Sequence, residues 1–206
     1  MSARDAILQR LRTGHACDPA AVIAAHARGP QPQPYSIQVE YFAECARSLA
    51  STVANTANLA AVPQEIARYL DENGLARRLV CWAEHRELDW GGAGIAAESR
   101  SATADDLVGV TGAFAAIAET GTLVMASGEA TPPATSLLPE THIAVLPASR
   151  IVGTMEDAFA LLRAEKNPWP RAVNLISGPS RTADIEQTVT LGAHGPYRVH
   201  VIIVGA

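Results

Sequence analysis

Short apolar runs at residues 79–82, 107–110, 123–126, 143–146, 173–176 and 199–204 constrain the fold of this chain more than any other feature. Most lack the apolar–polar alternation of a strand with one wet face. They read instead as strands buried on both sides, the state of a mainly parallel sheet covered by helices on both faces. Helical spacing lies between them. Phe42, Cys45 and Leu49 share one face, and Pro63 opens a helix that carries Ile66, Tyr69 and Leu70 and closes at Asn73-Gly74. Thr154 can cap a helix through Arg163, with Met155, Ala158, Phe159 and Leu162 at i, i+3, i+4 and i+7. The small residues AFAAIA at 113–118 predict a further short helix, and 90–95 with the polar run after it predict a loop. Thr52 and Val53 suit a short strand, although periodicity alone does not settle it.

At 206 residues the chain suits one domain with a small helical extension. Residues 1–35 read as an N-terminal helical arm. It has an amphipathic helix over 3–12 (Ile7, Leu8, Leu11), a second over 19–26, and a proline-rich link at 29–36 that cannot continue a helix. Residues 36–206 form the α/β domain. The net charge of −5, with scattered Lys and Arg, argues against nucleic acid as a partner and makes any anion site local. Cys17, Cys45 and Cys81 are odd in number and far apart, so their spacing fits neither a disulfide framework nor an iron–sulfur or zinc site. Cys81 and His85 share a C-x₃-H spacing without a second pair, so no metal is expected there. A signal-peptide core and a bilayer-length apolar run are both lacking, which makes cytoplasmic location the expectation.

Two stretches hold most of the chemistry. In SGPSRTADIE (177–186), Ser177, Gly178, Ser180 and Thr182 permit a tight turn with uncovered N–H groups. A helix beginning near Ser180 would aim its dipole at a ligand, and Arg181 adds a formal charge. The alternative is a plain connection in which Arg181 pairs with Asp184 or Glu186. In AETGT (118–122), Glu119 is placed either as a nucleophile or base beside the Thr120-Gly121-Thr122 turn, or as a carboxylate that bonds turn N–H groups and does nothing more. His194, in GAHGP, either faces a cleft or is a turn histidine bonded to backbone. The Gly91-Gly92-Ala93-Gly94 run lacks the following Lys of a P-loop, and no nucleophile elbow or H-E-x-x-H occurs.

AETGT, SLLP with HIAV at 136–145, and SGPSRTADIE with LGAHGP at 177–196 together resemble the LUD domain. More closely, they resemble the lactate-utilisation protein C (LutC/YkgG) family, over residues 107–204. The resemblance implies a fold similar to ribose-5-phosphate isomerase, glucosamine-phosphate deaminase and the CoA transferases. It also implies a part in oxidation of L-lactate to pyruvate beside two iron–sulfur partner proteins, with the clusters in the partners and no cofactor in this chain. No catalytic residue comes with the family motif. The resemblance also implies an arginine a few residues before SLLP in many relatives, where this chain has Pro133. Three readings follow: an accessory subunit that binds a small anion, an independent CoA-transferase-like or sugar-phosphate-like enzyme using Glu119, or a small-carboxylate binding module. Homo-oligomerisation stays open.

Overall fold

The computed structural model describes residues 3–13, 38–182, 190–192 and 194–205. The chain divides into two units, Met1–Gln33 and Pro34–Ala206. The first contains helix α1 (Ala3–Thr13). The helix expected over 19–26 and the proline-rich link lie outside the described residues.

In the second unit, six strands form one sheet: β1 (Thr52–Thr56), β2 (Arg78–Cys81), β3 (Ala96–Ser99), β4 (Val108–Gly112), β7 (Thr141–Pro147) and β12 (Arg198–Val204). Their order is β1-β12-β7-β4-β2-β3, and every neighbouring pair is parallel. A second sheet, in the order β8-β5-β6-β9, joins β5 (Ala115–Ile117), β6 (Thr122–Ala126), β8 (Ile151–Val152) and β9 (Val173–Ile176). A two-stranded ribbon pairs β10 (Arg181–Thr182) with β11 (Thr190–Leu191) antiparallel.

The strand interiors explain the uninterrupted apolar runs. Along β7, Ile143 and Val145 face one cluster, while Ala144 and Leu146 face another. The first cluster is closed by helix α3 (Val62–Glu72), whose Val62, Ile66, Tyr69 and Leu70 lie against the sheet. The second is closed by helix α2 (Gln38–Ser48), through Phe42, Ala43 and Ala46, together with Ala116, Leu123 and Met125 of the smaller sheet. The outer face of that smaller sheet (Ala115, Ile117, Val124, Ala126) packs on Ala158 and Leu162 of helix α5 (Met155–Glu165), which follows the one-turn helix α4 (Ala134–Leu137) in the chain. Helices therefore flank the parallel sheet on both faces, and the smaller sheet shares one face with α2. Each buried Leu, Ile or Phe in these layers contributes about 1.5–3 kcal/mol.

Local signals explain the element ends. Pro63 sits in the first turn of α3, where a missing N–H costs nothing, and Asn73 with Gly74 (φ +63°) closes it. Thr154 caps α5 reciprocally with Asp157. Three expectations are corrected. Residues 115–117 form a strand, not a helix, because β5 hydrogen-bonds between β6 and β8. Arg181–Thr182 pairs as a strand with Thr190–Leu191, so no helix begins at Ser180. The polar run after residue 95 contributes edge strand β3 instead of continuing as loop.

Candidate functional site

Parallel strands all point their carboxyl ends to one edge of a sheet. A crevice opens there where successive connections leave in opposite directions. That point lies between β2 and β4: the connection after β2 leads to β3 on one side, and the chain after β4 leads to β7 on the other. A crevice of about 300 Å³ occupies this position, with Trp82 and Glu84 following β2 and Ala113 and Phe114 following β4. Arg150, Glu165 and Lys166, after β7 and at the end of α5, complete it.

Its cations are set on an aromatic wall. The Arg150 guanidinium stands 4.6 Å, and the Lys166 ammonium 5.1 Å, from the centre of the Phe114 ring. Arg150 Nε donates to the Phe114 carbonyl at 2.7 Å, and its two terminal nitrogens donate to the two Glu165 oxygens at 2.9 and 3.0 Å. This fork holds the Glu165 carboxyl below the usual range, and Lys166 pushes it the same way. The Trp82 indole N–H donates to the Pro132 carbonyl at 3.1 Å, fixing the loop beside Pro133, the position where an arginine is expected in relatives.

Glu84 also lines the crevice, half-exposed. It folds so closely over Gly112 that a Cβ there would collide with Glu84 Oε1, while Oε2 would lie 3.5 Å away. Beneath it, His85 is buried, and its Nε2 faces Glu84 Oε1 at 3.4 Å with no hydrogen-bond partner. Burial lowers the His85 pKa, opposed by Glu84 and by a hydrogen bond to the Thr111 backbone. Thr111 Oγ1 in turn bonds His142 Nε2 at 2.8 Å. Among the described residues, no cluster of three His, Cys, Asp or Glu side chains could hold a metal ion.

The residues singled out from sequence gather elsewhere. Glu119 Oε1 accepts the backbone N–H of Met155 at 3.0 Å, which places its carboxylate on the N-terminus of α5. Thr120 Oγ1 donates to Thr122 Oγ1 at 2.8 Å, and Thr122 Oγ1 meets Ser177 Oγ at 2.7 Å. The two predicted turns therefore touch through a chain of hydroxyls. Gly121 (φ +60°) and Gly178 (φ +83°) both lie against the end of α2, where a Cβ would strike Ala46 N and the Leu49 carbonyl oxygen respectively. The exposed Arg181 donates to that same Leu49 carbonyl at 3.3 Å. Ser180 N donates to the Pro196 carbonyl, and the Ser180 carbonyl accepts from Gly192 N, each at 2.9 Å. Gly195 lies against Ser180, where a Cβ would stand 3.2 Å from the Ser180 Cβ, and the preceding His194 is exposed. Thr182 lies in β10, and Asp184 lies outside the described residues.

The structure thus joins Ser177 to the Thr120–Thr122 turn and sets Arg181 on the end of α2, but gives Glu119 and Arg181 separate partners. The cluster also lies away from the crevice. Thr122 starts β6 and Ala126, which lines the crevice, ends it, about 13 Å along at strand rise. Trp82, Glu84, Phe114, Arg150 and Lys166 were not singled out in the sequence. The signal for Glu84 and Phe114 was their place just beyond the carboxyl ends of buried strands.

Comparison with known proteins follows the same outline. The LUD domain matches residues 40–204. Lactate utilization protein C of Exiguobacterium sp. (strain AT1b) is 37% identical over 143 residues, covering 67% of this chain and 61% of that protein. Lactate utilization protein C of Bacillus subtilis (strain 168) is 40% identical over 100 residues, 47% of this chain and 42% of its own length. The match thus spans about three-fifths or less of these relatives. A crystal structure of a DUF162 family protein from Deinococcus radiodurans superposes with a TM-score of 0.65 at 25% identity, covering 84% of this chain and 100% of that one. With the match running from the second helix to the last strand, and the same fold in a solved structure, the chain belongs to the LUD domain family.

Proposed function

We propose that this protein serves lactate utilisation as an accessory component that is not itself redox-active, working with iron–sulfur partner proteins and holding a small carboxylate in the crevice between β2 and β4. The names of its relatives support the pathway. The observation that carries the binding reading is Lys166, held over Phe114 beside open volume at the sheet's switch point, next to an Arg150 that Glu165 neutralises. Arg181, which the sequence offers either as an anion residue or as part of a plain connection, donates one hydrogen bond to the end of α2. The independent-enzyme reading rests on fold likeness alone, since the Glu119 carboxylate is engaged at the N-terminus of α5.

The test has two arms. In the first, L-lactate raises the melting temperature of the purified protein; a ligand at a hundred times Kd stabilises by about 2.7 kcal/mol. Lys166→Ala removes the shift and Arg181→Ala keeps it; the reverse pattern returns the site to the 177–182 turn. In the second arm, the isolated chain is assayed for lactate oxidation with an artificial electron acceptor. No turnover is expected alone, with iron–sulfur proteins co-purifying from a native source. Robust oxidation by the isolated chain overturns the accessory reading.

A further inference from the structure

We infer that Glu84 makes the crevice selective for a small carboxylate that carries a hydroxyl on the neighbouring carbon, over the corresponding keto acid. This rests on the reading of the crevice as a carboxylate site and adds the residue that reads the rest of the molecule.

The argument starts from charge. Arg150 and Glu165 neutralise one another through their two-pronged bond, leaving Lys166 as the positive pole of the crevice and Glu84 as the negative one. A simple anion satisfies only the first pole. A ligand that also donates a hydrogen bond satisfies both, with its carboxylate at Lys166 and its donor at Glu84.

Glu84 is built to accept such a bond. Among the described residues, no hydrogen bond reaches its carboxylate. Oε1 is tucked over Gly112 and toward His85 Nε2, so Oε2 is the oxygen left for a ligand. Gly112, which has no Cβ, supplies the room in which Oε1 is confined. A hydroxyl donates to Oε2, whereas a ketone oxygen can only set lone pair against lone pair. Pairing this acceptor with a donor, and not with a second acceptor, separates the two ligands, and because Glu84 is half-exposed water moderates the difference.

Calorimetric titration of the intact protein with L-lactate, pyruvate and propionate tests this, alongside Glu84→Gln and Gly112→Ala, each checked for native circular dichroism. L-lactate is expected to bind about three- to tenfold tighter than pyruvate and propionate, from the usual net worth of a hydrogen bond at a half-exposed group. Glu84→Gln, whose amide can both donate and accept, brings lactate and pyruvate to near-equal affinity, and Gly112→Ala does the same by displacing the carboxylate. Equal binding of the three acids to the native protein, or a lactate-to-pyruvate ratio unchanged by Glu84→Gln, overturns the inference and leaves the carboxylate site standing. Binding of none of the three overturns the carboxylate site itself, and the inference with it.

Discussion

Gly121 and Gly178 show why residues that look chemical in sequence can be steric in the fold. Both have positive φ, and both let a turn touch the end of α2 backbone to backbone. Gly74 also has positive φ but has open space where a Cβ would go, so it separates the two costs. Gly74→Ala should destabilise by about 1 kcal/mol, the cost of a left-handed alanine. Gly121→Ala carries that cost and a backbone overlap as well, adding roughly 1–3 kcal/mol. Urea denaturation of the two variants decides it; equal losses would mean the α2 contact is slack. The setting of Glu119 is hidden in the same way. A carboxylate in a Thr-Gly-Thr turn announces itself in the sequence, but its partner, the Met155 amide, lies 36 residues further on. Glu84 was passed over because its setting, Gly112 below and His85 behind, is assembled from two different strand ends.

At the scale of elements, legibility followed how far local sequence and tertiary pairing agreed. Helix α5 was readable because a capping pair and a 3.6-residue apolar period coincide at Thr154 and Asp157. The buried strands of the parallel sheet were readable as unbroken apolar runs. Residues 113–118 were not. Alanines favour a helix, the run is apolar on every face, and only the pairing of β5 between β6 and β8 makes it a strand. The crevice escaped for a related reason: its walls come from segments spread between residues 82 and 166, which only the strand order brings together. The N-terminus of α5 carries a prediction of its own. Its free N–H groups are met by Thr154, Asp157 and, from another element, Glu119. Glu119→Ala should cost about 1 kcal/mol of stability, like the loss of an N-cap side chain, whereas Glu119→Gln retains the acceptor and loses only about 0.3–1 kcal/mol of charge–dipole attraction. A thermal melt in which Glu119→Ala matches the native protein would remove this structural role and restore interest in Glu119 as a reactive group.

For the whole molecule, stability in acid turns on histidines enclosed in the parallel sheet. His142 and His200 occupy neighbouring strands, β7 and β12, and burial pushes each pKa down to about 4. His142 keeps one ring nitrogen without a partner. His200 stacks on Tyr69 at 4.0 Å and bonds Thr52 Oγ1, with Glu65 3.8 Å away and Arg68 opposing that carboxylate's pull. A folded pKa below the unfolded value of about 6.5 means that the unfolded chain binds the extra protons. The stabilising contribution is therefore complete above pH 6.5 and is lost as pH falls toward 4. Each histidine can account for roughly 3 kcal/mol across that window, and His85 shifts in the same direction. The paired carboxylates Asp106 and Glu165, held down by Arg100 and Arg150, act only at lower pH. Between pH 6.5 and 4.5, then, the unfolding free energy should fall with a slope of about two protons, and His142→Asn or His200→Gln should each remove about one of them. Chemical denaturation across that range measures the slope directly. A flat profile would mean that both rings already carry a proton in the folded sheet, which the enclosed, half-unpartnered positions of His142 and His200 oppose.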